Sequence, residues 1–434
     1  MMNQTKRRHS DSEEQKDFSA QSILPKRPHL DNASNITRTD ASLAYPSTAG
    51  ITRSPAIPFQ KPQSLLTFSY SPSRLLEFND SAMRYYAEPP RRADLRHGYD
   101  RWIRRPEEKG RLDGLLRAIA KIGSDKEKEG EPSTAWLKDV GIVSWRGVMT
   151  KILIAPYEER DSWELNIMLL DGTLYLEEHV SDAKLHEKNN IPPKQRIQMY
   201  YGYSFESYCT SERPPNREHY GRIPGWGGDV DTNVQWCCVA KTKLADTRII
   251  IGGEVDCVRE RFDGTTDSFV ELKTSLTIHG PRDEARFEKK LLKFYFQSFL
   301  LGVPEIIVGF RTPSGEVSTL QGFKTLQIPR MVRDKPGSWD PQLCLEWGSR
   351  FITFLRENVS PSPTGGDTPY IWRASFTPKT GVTLKRLDQS GVDEVVNEED
   401  RLGFLPSWYI NESMARSTVL PDVPVSPTNT DLKS

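Results

Sequence analysis

Residues 248–273 read RIIIGGEVDCVRERFDGTTDSFVELK, and this stretch decides the fold. It contains two β-branched or aromatic runs, each of which leads directly into charged residues, as expected for two buried strands. Because side chains alternate along a strand, Glu254 and Asp256 share one face of the first strand. Glu271 and Lys273 share one face of the second strand. If the two strands are neighbours, they direct three carboxylates and one ammonium group to the same place.

The segments on either side of this stretch predict helices and further strands. A helix is expected near residues 108–122, where leucine and isoleucine recur at helical spacing. A second helix is expected over residues 283–301, which contain no Pro or Gly and are followed by Gly302 and Pro304. The pattern as a whole predicts an α/β protein with a mixed β-sheet core and covering helices. The predicted strands are residues 141–155, 163–170, 173–177, 234–240, 248–257, 268–273 and 305–311.

The density of aromatic and apolar residues divides the chain into three parts. Residues 65–410 are rich in them and predict one continuous domain. Residues 1–60 and 411–434 are rich in polar and charged residues, so they bury too little to offset the entropy of ordering and are expected to be disordered tails. Two basic clusters in the first tail, residues 6–8 and 26–27, are either a nuclear localisation signal or solvated charge.

Composition excludes several classes of protein. Lys plus Arg and Asp plus Glu both number 59, so no net charge attracts nucleic acid or anionic lipid, and a polyanion needs a local basic groove. The five cysteines show no CxxC spacing, which indicates a reducing compartment and argues against a zinc ribbon. No apolar run approaches the ~20 residues that span a bilayer, and the N-terminus lacks the apolar segment of a secretory signal. The protein is expected in the cytosol or nucleus.

The charged residues of the two strands have a spacing that points to metal-dependent chemistry. Fourteen residues separate Asp256 from Glu271, and Lys273 follows two positions later, an order that resembles the PD-(D/E)xK nuclease superfamily. Carboxylate oxygens bind Mg²⁺ or Mn²⁺, and the bound metal lowers the pKa of its water. The lysine orients that water or stabilises the negative charge that develops. A solvated strand face is the alternative, but both strands are apolar before these residues, and buried like charges need a counter-ion.

A fourth carboxylate belongs to the aromatic segment GYSFE at residues 202–206. Glu206 either joins the other three acids or is a surface acid beside core aromatic residues. The segment by itself does not decide between these two interpretations.

Five motifs follow one another along the chain in a distinctive order. They are Trp145-Arg146-Gly147, residues 202–206, residues 253–256, residues 270–273, and Gln297 in the segment FQSF. In order and spacing they resemble the DXO decapping nuclease family, which includes the fungal partner of the nuclear Rat exoribonuclease. The resemblance covers residues 65–410, the whole predicted domain. It implies a mixed α/β core of two sheets that resembles PD-(D/E)xK nucleases, with covering helices.

The resemblance implies a centre that binds two divalent cations, Mg²⁺ or Mn²⁺. The implied ligands are Glu206, Glu254, Asp256, Glu271 and the backbone carbonyl of Leu272. Lys273 and Gln297 would lie against the reacting phosphate and its water. The implied catalytic set is therefore the four acids together with Lys273 and Gln297.

The resemblance also implies a substrate-binding wall. Arg146 would grip an RNA phosphate, a role that suits the bidentate hydrogen bonds of a guanidinium group. Trp145 and Gly147 would shape the same wall. The other implied substrate contacts are Arg74, Cys237, Glu254, Lys273 and Gln297.

Several of these positions also fit purely structural roles. Trp145 and Cys237 would then be core residues, Gln297 would cap an apolar helix stripe, and Arg146 would be an ordinary strand arginine. The chain departs from the family at one point, because an acidic position near 110 is occupied by Gly110 here. This departure concerns the substrate contacts and not the metal site.

The implied reaction is hydrolysis at the 5′ end of RNA that carries an incomplete cap, a triphosphate or an NAD cap, which leaves a 5′-monophosphate. A nuclear 5′-3′ exoribonuclease of the Rat type is the implied protein partner, and the nucleus is the implied location. One alternative is a non-catalytic protein that stabilises this exoribonuclease. Another is a DNA nuclease of the same superfamily, which the Arg146 and Gln297 motifs disfavour but residue types do not exclude, since phosphate contacts do not distinguish DNA from RNA. Residues 331–347, with their aromatic, Pro and Gly residues, are the candidate partner surface.

Overall fold

The computed structural model describes residues 40–46, 55–130, 136–214, 226–362, 369–397 and 399–418. Strands in this part of the chain form two large sheets and one two-stranded sheet. The strands are β1 (Asp40–Ala44), β2 (Phe59–Tyr70), β3 (Leu76–Glu77), β4 (Tyr85–Tyr86), β5 (Val140–Trp145), β6 (Trp163–Leu170), β7 (Thr173–His179), β8 (Thr210–Ser211), β9 (Gln235–Leu244), β10 (Thr247–Glu254), β11 (Cys257–Val258), β12 (Phe269–Leu276), β13 (Glu305–Arg311), β14 (Val317–Lys324), β15 (Trp372–Thr377), β16 (Gly381–Arg386), β17 (Arg401–Leu402) and β18 (Leu405–Pro406).

Both large sheets are mixed. The ten-stranded sheet, called the large sheet, has the order β1-β16-β15-β6-β7-β5-β10-β9-β2-β3. The six-stranded sheet, called the small sheet, has the order β14-β13-β12-β11-β4-β8. In the large sheet β10 pairs parallel with β5 and antiparallel with β9. In the small sheet β12 pairs parallel with β13 and antiparallel with β11, so the predicted mixed core of two sheets is confirmed.

Helices cover the sheets. They are α1 (Asp113–Lys128), α2 (Arg146–Ile154), α3 (Asp182–Asn189), α4 (Pro193–Tyr208), α5 (Pro281–Leu301), α6 (Ile328–Val332), α7 (Pro341–Asn358), α8 (Gln389–Val396) and α9 (Ser407–Thr418), with 3-10 turns at Tyr99–Arg101, Ala155–Tyr157, Thr266–Ser268 and Thr325–Gln327. Among them α2 packs against α5, and α4 packs against β12. Within the described ranges, no helix combines the length and apolar character that crossing a membrane requires.

Side-chain alternation along β10 divides the core between the two faces of the large sheet. Ile249 and Ile251 belong to an apolar cluster that also contains Ile306 of β13, so this cluster joins the two sheets. Ile250 points the other way and packs in a second cluster with residues of α1. A third cluster combines Leu272 of β12 with aromatic residues of α4. Because the large sheet is covered on both faces, β10 is apolar at successive positions rather than at alternate ones.

The predicted helix over 283–301 is present as α5. It begins two residues earlier, at Pro281, because proline suits the first turn of a helix. It ends at Gly302, which adopts the left-handed conformation with φ 71° that favours glycine. The predicted helix near 108–122 is present as α1, shifted toward the C-terminus.

The predicted strand over 141–155 is wrong beyond Trp145, because α2 begins at Arg146. The run that follows is apolar almost throughout, so its period does not separate helix from strand. Val148, Met149 and Ile152 are buried on the side of α2 that packs against other helices, and this tertiary packing decides the conformation.

The two strands that carry the acids are not neighbours, contrary to the expectation from the sequence. β10 belongs to the large sheet and β12 to the small sheet. β10 ends at Glu254, so Asp256 lies outside the strand and the alternation rule does not apply to it. The chain passes from one sheet to the other at Asp256, and β11 then pairs with β12. The acids therefore meet where the two sheets adjoin.

Parts of the predicted tails are ordered. β1 lies within the predicted N-terminal tail and pairs with β16, and α9 continues to Thr418. The prediction of disorder is wrong for β1, because pairing with a distant strand supplies contacts that local composition does not register, and for the residues of α9 beyond 410. Residues 1–39, 47–54 and 419–434, which include both basic clusters, lie outside the described residues.

The tryptophans of the candidate partner surface are buried. Trp339 is 6% exposed and Trp347 is 1% exposed. The indole Nε1 of Trp339 donates to the backbone carbonyl of Glu288 at 2.9 Å, which fixes it inside the fold. Met331 is exposed, and so is Leu326 just before α6. The two tryptophans are thereby removed from the candidate surface; of the two exposed apolar residues, Met331 lies within it and Leu326 lies just before it.

Candidate active site

Acidic side chains from a strand end, a connection and a helix line one cleft. Glu254 is the last residue of β10, and Asp256 follows two positions later. Glu206 comes from the last turn of α4. These three carboxylates line a cavity of about 480 Å³. The fourth acid, Glu271 of β12, has only 1% of its side chain exposed, so it is held inside the protein beside the cleft.

Two cations fix both carboxylate oxygens of Glu271. Nη1 of Arg146 lies 2.9 Å from Oε2, and Nζ of Lys273 lies 2.6 Å from Oε1. Burial by itself would raise the pKa of Glu271, but the charges of Arg146 and Lys273 outweigh it and lower this pKa to about 2. Burial would lower the pKa of Lys273, but the charges of Glu271, Asp256 and Glu206 together outweigh it and raise that pKa. Glu271 is therefore an anion and Lys273 a cation across the physiological range.

Asp256 ties the two sheets together at this point. Its Oδ2 accepts a hydrogen bond from the backbone N–H of Leu272 at 2.7 Å. The same oxygen lies 3.7 Å from Nζ of Lys273. Burial raises the pKa of Asp256 despite the charge of Lys273, and the charge of Glu271 raises it further. Lys273 thus stands between two carboxylates and neutralises only part of their charge.

Burial and neighbouring acids disfavour the charged forms of Glu206 and Glu254. Burial and then the charge of Asp256 raise the pKa of Glu206 well above its usual value. The same two causes raise the pKa of Glu254 to about 7, although the amide Nε2 of Gln235 donates to its Oε2 at 2.8 Å. Both carboxylates repel their neighbours, and a cation in the cleft would relieve that repulsion.

The donor set suits a hard divalent cation, because every predicted ligand atom is an oxygen. As the side chains lie, no three acidic, histidine or cysteine residues in the described part of the chain enclose a metal ion. The cause is local, since Arg146 and Lys273 already hold Glu271. Nζ of Lys273 also lies 3.2 Å from the carbonyl oxygen of Leu272, the fifth predicted ligand. The ammonium group therefore supplies positive charge where the predicted ligands gather.

Two glycines before Glu254 make room for the Trp145-Arg146 pair. A Cβ atom on Gly252 would lie 2.6 Å from the ring of Trp145. A Cβ atom on Gly253 would lie 3.1 Å from Cβ of Arg146 and still closer to Leu301. Only glycine allows β10 to approach the start of α2 this closely. The GGE sequence therefore shapes the site as well as supplying an acid.

Trp145 is held at the end of β5 by a specific hydrogen bond. Its indole Nε1 donates to the backbone carbonyl of Arg111 at 2.9 Å. Gly147, in the first turn of α2, is exposed, and a Cβ atom there would meet nothing within 4 Å. Gln297 of α5 is half-buried, and its carbonyl oxygen lies 3.5 Å from Nη1 of Arg146. The residues of the predicted wall therefore adjoin the acids through Arg146.

Arg74 adjoins the acids through Gln235, a residue that the sequence motifs did not identify. Nη1 of Arg74 donates to Oε1 of Gln235 at 2.6 Å and to the carbonyl of Asn233 at 2.9 Å. The guanidinium carbon lies 3.7 Å from the ring centroid of Tyr70. Gln235 in turn donates to Glu254, so a continuous chain of contacts leads from Arg74 to the cleft.

Cys237 is brought next to the site but not into its opening. It is 4% exposed, and its partner across the β9–β10 pairing is Glu254. Burial and the charge of Glu254 raise the pKa of its thiol, so it stays neutral. All five cysteines are free and buried. Two arginines outside the motifs, Arg84 and Arg105, do line the cavity, where Arg84 pairs with Glu212 and Arg105 pairs with Glu108.

The comparisons with known proteins identify the family of the chain. The family model described as RAI1 like PD-(D/E)XK nuclease matches residues 60–410. The chain is 36% identical to decapping nuclease RAI1 of Mycosarcoma maydis, over 86% of this chain and 92% of that protein. It is 35% identical to the decapping and exoribonuclease protein of Homo sapiens, over 85% of this chain and 89% of that protein.

The fold is also that of a solved structure. The crystal structure of Candida albicans Rai1 in complex with pU5-Mn2+ superposes with a TM-score of 0.73 at 23% identity. The match covers 87% of this chain and 99% of the Candida albicans chain. The fold therefore corresponds over nearly the whole of the Candida albicans protein. Together with the family model and the two relatives, this places the chain among the RAI1-like PD-(D/E)XK nucleases, a family of RNA decapping enzymes, to which it belongs.

Proposed function

We propose that this protein hydrolyses the 5′ end of RNA that carries an incomplete cap, a triphosphate or an NAD cap, and leaves a 5′-monophosphate. The observation that carries the proposal is the cleft in which Glu206, Glu254 and Asp256 adjoin the ion pair of Lys273 and Glu271. Mutually repelling acids beside a fixed ammonium group are what metal-assisted hydrolysis of a phosphate needs. Membership of a family of RNA decapping enzymes supports RNA as the substrate.

We further propose that Mg²⁺ or Mn²⁺ binds in this cleft, with two ions per site. The complex of Candida albicans Rai1 with pU5-Mn2+ supports this proposal for both the RNA and the ion. When bound, such ions lower the pKa of a water molecule and offset negative charge on the phosphate. The residues that would hold them are Glu206, Glu254, Asp256, Glu271 and, through its carbonyl, Leu272.

Lys273 and Arg146 have different tasks in this proposal, although both pair with Glu271. The ammonium group of Lys273 lies closest to the acids and would stabilise negative charge as it develops on the reacting phosphate. Arg146 uses one N–H against Glu271 and keeps others that would bind a phosphate oxygen of the RNA. Gln297, beside Arg146, would position the attacking water.

The cavity suits the terminal nucleotide of a capped or triphosphorylated RNA. Its volume of about 480 Å³ falls in the range of small-molecule sites, roughly 300–1,000 Å³. Arg84 and Arg105 also line the cavity. Their charge is opposite in sign to that of the acids, so they would bind phosphates of the 5′ end. A substrate that ends in this cavity would favour hydrolysis at RNA ends over internal phosphodiesters.

The decisive experiment uses 5′-labelled RNAs with a triphosphate, an incomplete cap or an NAD cap. Wild-type protein with Mg²⁺ or Mn²⁺ should release the label and leave a 5′-monophosphate, and EDTA should stop the reaction. Glu206→Gln serves as the inactive control. Continued release of mononucleotides would identify an additional 5′-3′ exonuclease activity. Hydrolysis that survives complete chelation would remove the metal from the proposal, and hydrolysis of none of the RNAs would contradict it.

We also propose that the protein is nuclear and binds a 5′-3′ exoribonuclease of the Rat type. A 5′-monophosphate product is the substrate such an enzyme needs, and tethering raises its effective concentration. The exposed apolar pair Leu326 and Met331 is the candidate contact surface. Leu326→Asp with Met331→Asp should abolish association of the purified proteins and leave RNA hydrolysis intact. Asp256→Ala should do the reverse, and unchanged association of the first variant would contradict this surface.

A further inference from the structure

One edge of β12 is open over most of its length. β13 covers the opposite edge along the whole strand, whereas β11 covers this edge only at the first two residues. The N–H of Leu272 points from the open edge to Asp256. Backbone groups of alternate residues point to the same edge of a strand, so the carbonyl of Thr274 points the same way. The open edge therefore runs outward from the acids.

Two ammonium groups lie on this open edge. Nζ of Lys273 is 3.2 Å from the carbonyl oxygen of Leu272. Nζ of Lys290, from α5, donates to the carbonyl oxygen of Thr274 at 2.7 Å. The two carbonyls are two residues apart, which is about 7 Å along a strand. Lys290 thus occupies the next position along the same edge, one step further from the acids than Lys273.

Lys290 lies among positive charges. Lys290 as a whole residue is exposed, and its Nζ lies 5.1 Å from the ring centroid of Phe294. Burial of the ammonium group, followed by the charges of Arg311, Lys273 and Lys293, lowers the pKa of Lys290 to about 8. All the charges that act on it are positive. An anion at this point would therefore be stabilised by several groups at once.

The helix orients Lys290 toward the reaction centre. Lys290, Lys293 and Gln297 are spaced by three and four residues, so they share one face of α5. From Lys290 to Gln297 the helix rises about 10 Å. Gln297 adjoins Arg146 at the site itself. A row of positive charge therefore leads away from the cleft along both β12 and α5.

We propose that Lys290 binds a phosphate of the RNA strand downstream of the nucleotide that reacts, and so holds the strand without touching the scissile bond. This inference rests on the proposed function, because it takes RNA as the ligand. The phosphates of RNA repeat along the chain, as the ammonium groups repeat along one strand edge. A single free anion does not have this repeat. Lys290 is accordingly a positioning residue, whereas Lys273 serves the reacting phosphate.

Binding of a fluorescent, 5′-monophosphorylated ten-nucleotide RNA to the full-length protein tests the inference, with EDTA present to prevent hydrolysis. Lys290→Met keeps most of the stem that packs on Phe294 and removes the charge. Lys289→Met is the matched control, because Lys289 is the exposed neighbour and pairs with Glu159 at 3.5 Å. One lost phosphate contact should weaken binding about 4-fold at 0.15 M salt and lower the log–log salt slope by about 0.7.

The expected pattern is specific to long RNA. Lys290→Met should bind uridine 5′-monophosphate as wild type does, and Lys290→Arg should retain the affinity for the ten-nucleotide RNA. If Lys290→Met binds that RNA as tightly as Lys289→Met, with the same salt slope, the inference is wrong. Equal losses for the mononucleotide and the long RNA would also overturn it. Because binding is measured without turnover, absence of RNA hydrolysis by the wild type would contradict only the proposed function.

Discussion

Asp256, which follows a strand of the large sheet, accepts a hydrogen bond from the backbone N–H of Leu272 in the small sheet, with 2.7 Å between Oδ2 and N. The same oxygen lies 3.7 Å from Nζ of Lys273. The contact fixes the acid of one sheet to the strand that carries Glu271 in the other, so the relative position of the sheets sets the spacing of the acids. The effect of removing one acid on the stability of the fold should therefore depend on which groups that acid contacts.

Substitution by glutamine should destabilise the fold at Glu271 but not at Glu206. Glu271→Gln should abolish hydrolysis and lower the free energy of unfolding by about 3 kcal/mol, because it leaves Arg146 and Lys273 without their shared partner. Glu206→Gln should also abolish hydrolysis but should not destabilise the fold, since burial and Asp256 disfavour its charged form. Urea unfolding in EDTA measures both effects. Equal destabilisation by the two substitutions would show that their surroundings do not differ in this way.

Glu254 predicts a fall in stability as pH rises. Burial and Asp256 raise its pKa from the usual 4.5 to about 7, so between these values the folded protein binds more protons at this group than the unfolded chain does. The free energy of unfolding therefore falls as pH increases through this window. Relative to wild type, Glu254→Gln should gain up to about 3 kcal/mol from pH 4.5 to 7 in EDTA. Glu271 acts below this window, because its pKa is lowered to about 2.

Urea unfolding of wild type and Glu254→Gln at pH 5, 6 and 7 provides the measurement. Glu206 and Asp256 are present in both proteins, so the difference between the two curves reports mainly on Glu254. A difference that does not change with pH would mean that the carboxyl group of Glu254 titrates normally.

The sequence identified the acids but not how they are brought together. Asp256, Glu271 and Lys273 were found because the number of residues between them matches a known motif. This number can be read directly from the sequence. The expectation that their strands are neighbours failed, because sheet membership depends on pairing with distant segments, such as β13 for β12 and β5 for β10. The change from strand to helix at Arg146 was missed for the same reason, since an apolar run fits either structure until its packing partner is known.

Gln235 shows which part of the site a sequence conceals. A neutral amide on a strand has no compositional signal, and its partner Arg74 is distant in the chain. One signal was available, however. Residues 235 and 237 share a face of β9 by alternation, and the resemblance had already marked Cys237. Side chains on the same strand face as a marked residue are therefore worth testing even when they carry no charge.

Arg146→Lys should impair the enzyme more than the retained charge suggests. The guanidinium group reaches Oε2 of Glu271 and the backbone carbonyl of Gln297 together, and a lysine that made both contacts could not also offer a phosphate two parallel N–H donors. We expect a loss in kcat/KM on 5′-triphosphorylated RNA on the order of 10- to 100-fold. Arg160→Lys, in an exposed loop, is the control. Unchanged kcat/KM with reduced thermal stability would assign Arg146 a purely structural role.

Besides the direct attraction between their charges, Arg74 should influence Glu254 through Gln235. The side-chain oxygen of Gln235 accepts from Arg74 at 2.6 Å, and its amide nitrogen donates to Glu254 at 2.8 Å, so the arginine fixes the orientation of the amide. That hydrogen bond stabilises the charged form of Glu254 and limits the rise of its pKa. Gln235 therefore keeps the carboxylate more readily ionised for a cation.

Gln235→Leu should consequently weaken the binding of Mn²⁺ to the RNA-free protein at pH 7, by about 10- to 100-fold as for other residues that orient metal ligands. The cation must then displace a proton from Glu254, so the affinity should recover as the pH is raised to 9. Arg74→Ala should cause a smaller loss of the same kind, and adding it to Gln235→Leu should cause no further loss, because both act through one amide. Titration calorimetry of the three variants measures these affinities. Losses that add, or an Arg74→Ala variant that changes RNA binding alone, would mean that Arg74 contacts the substrate directly. The contact with Gln235 would then not be the route by which Arg74 affects the site.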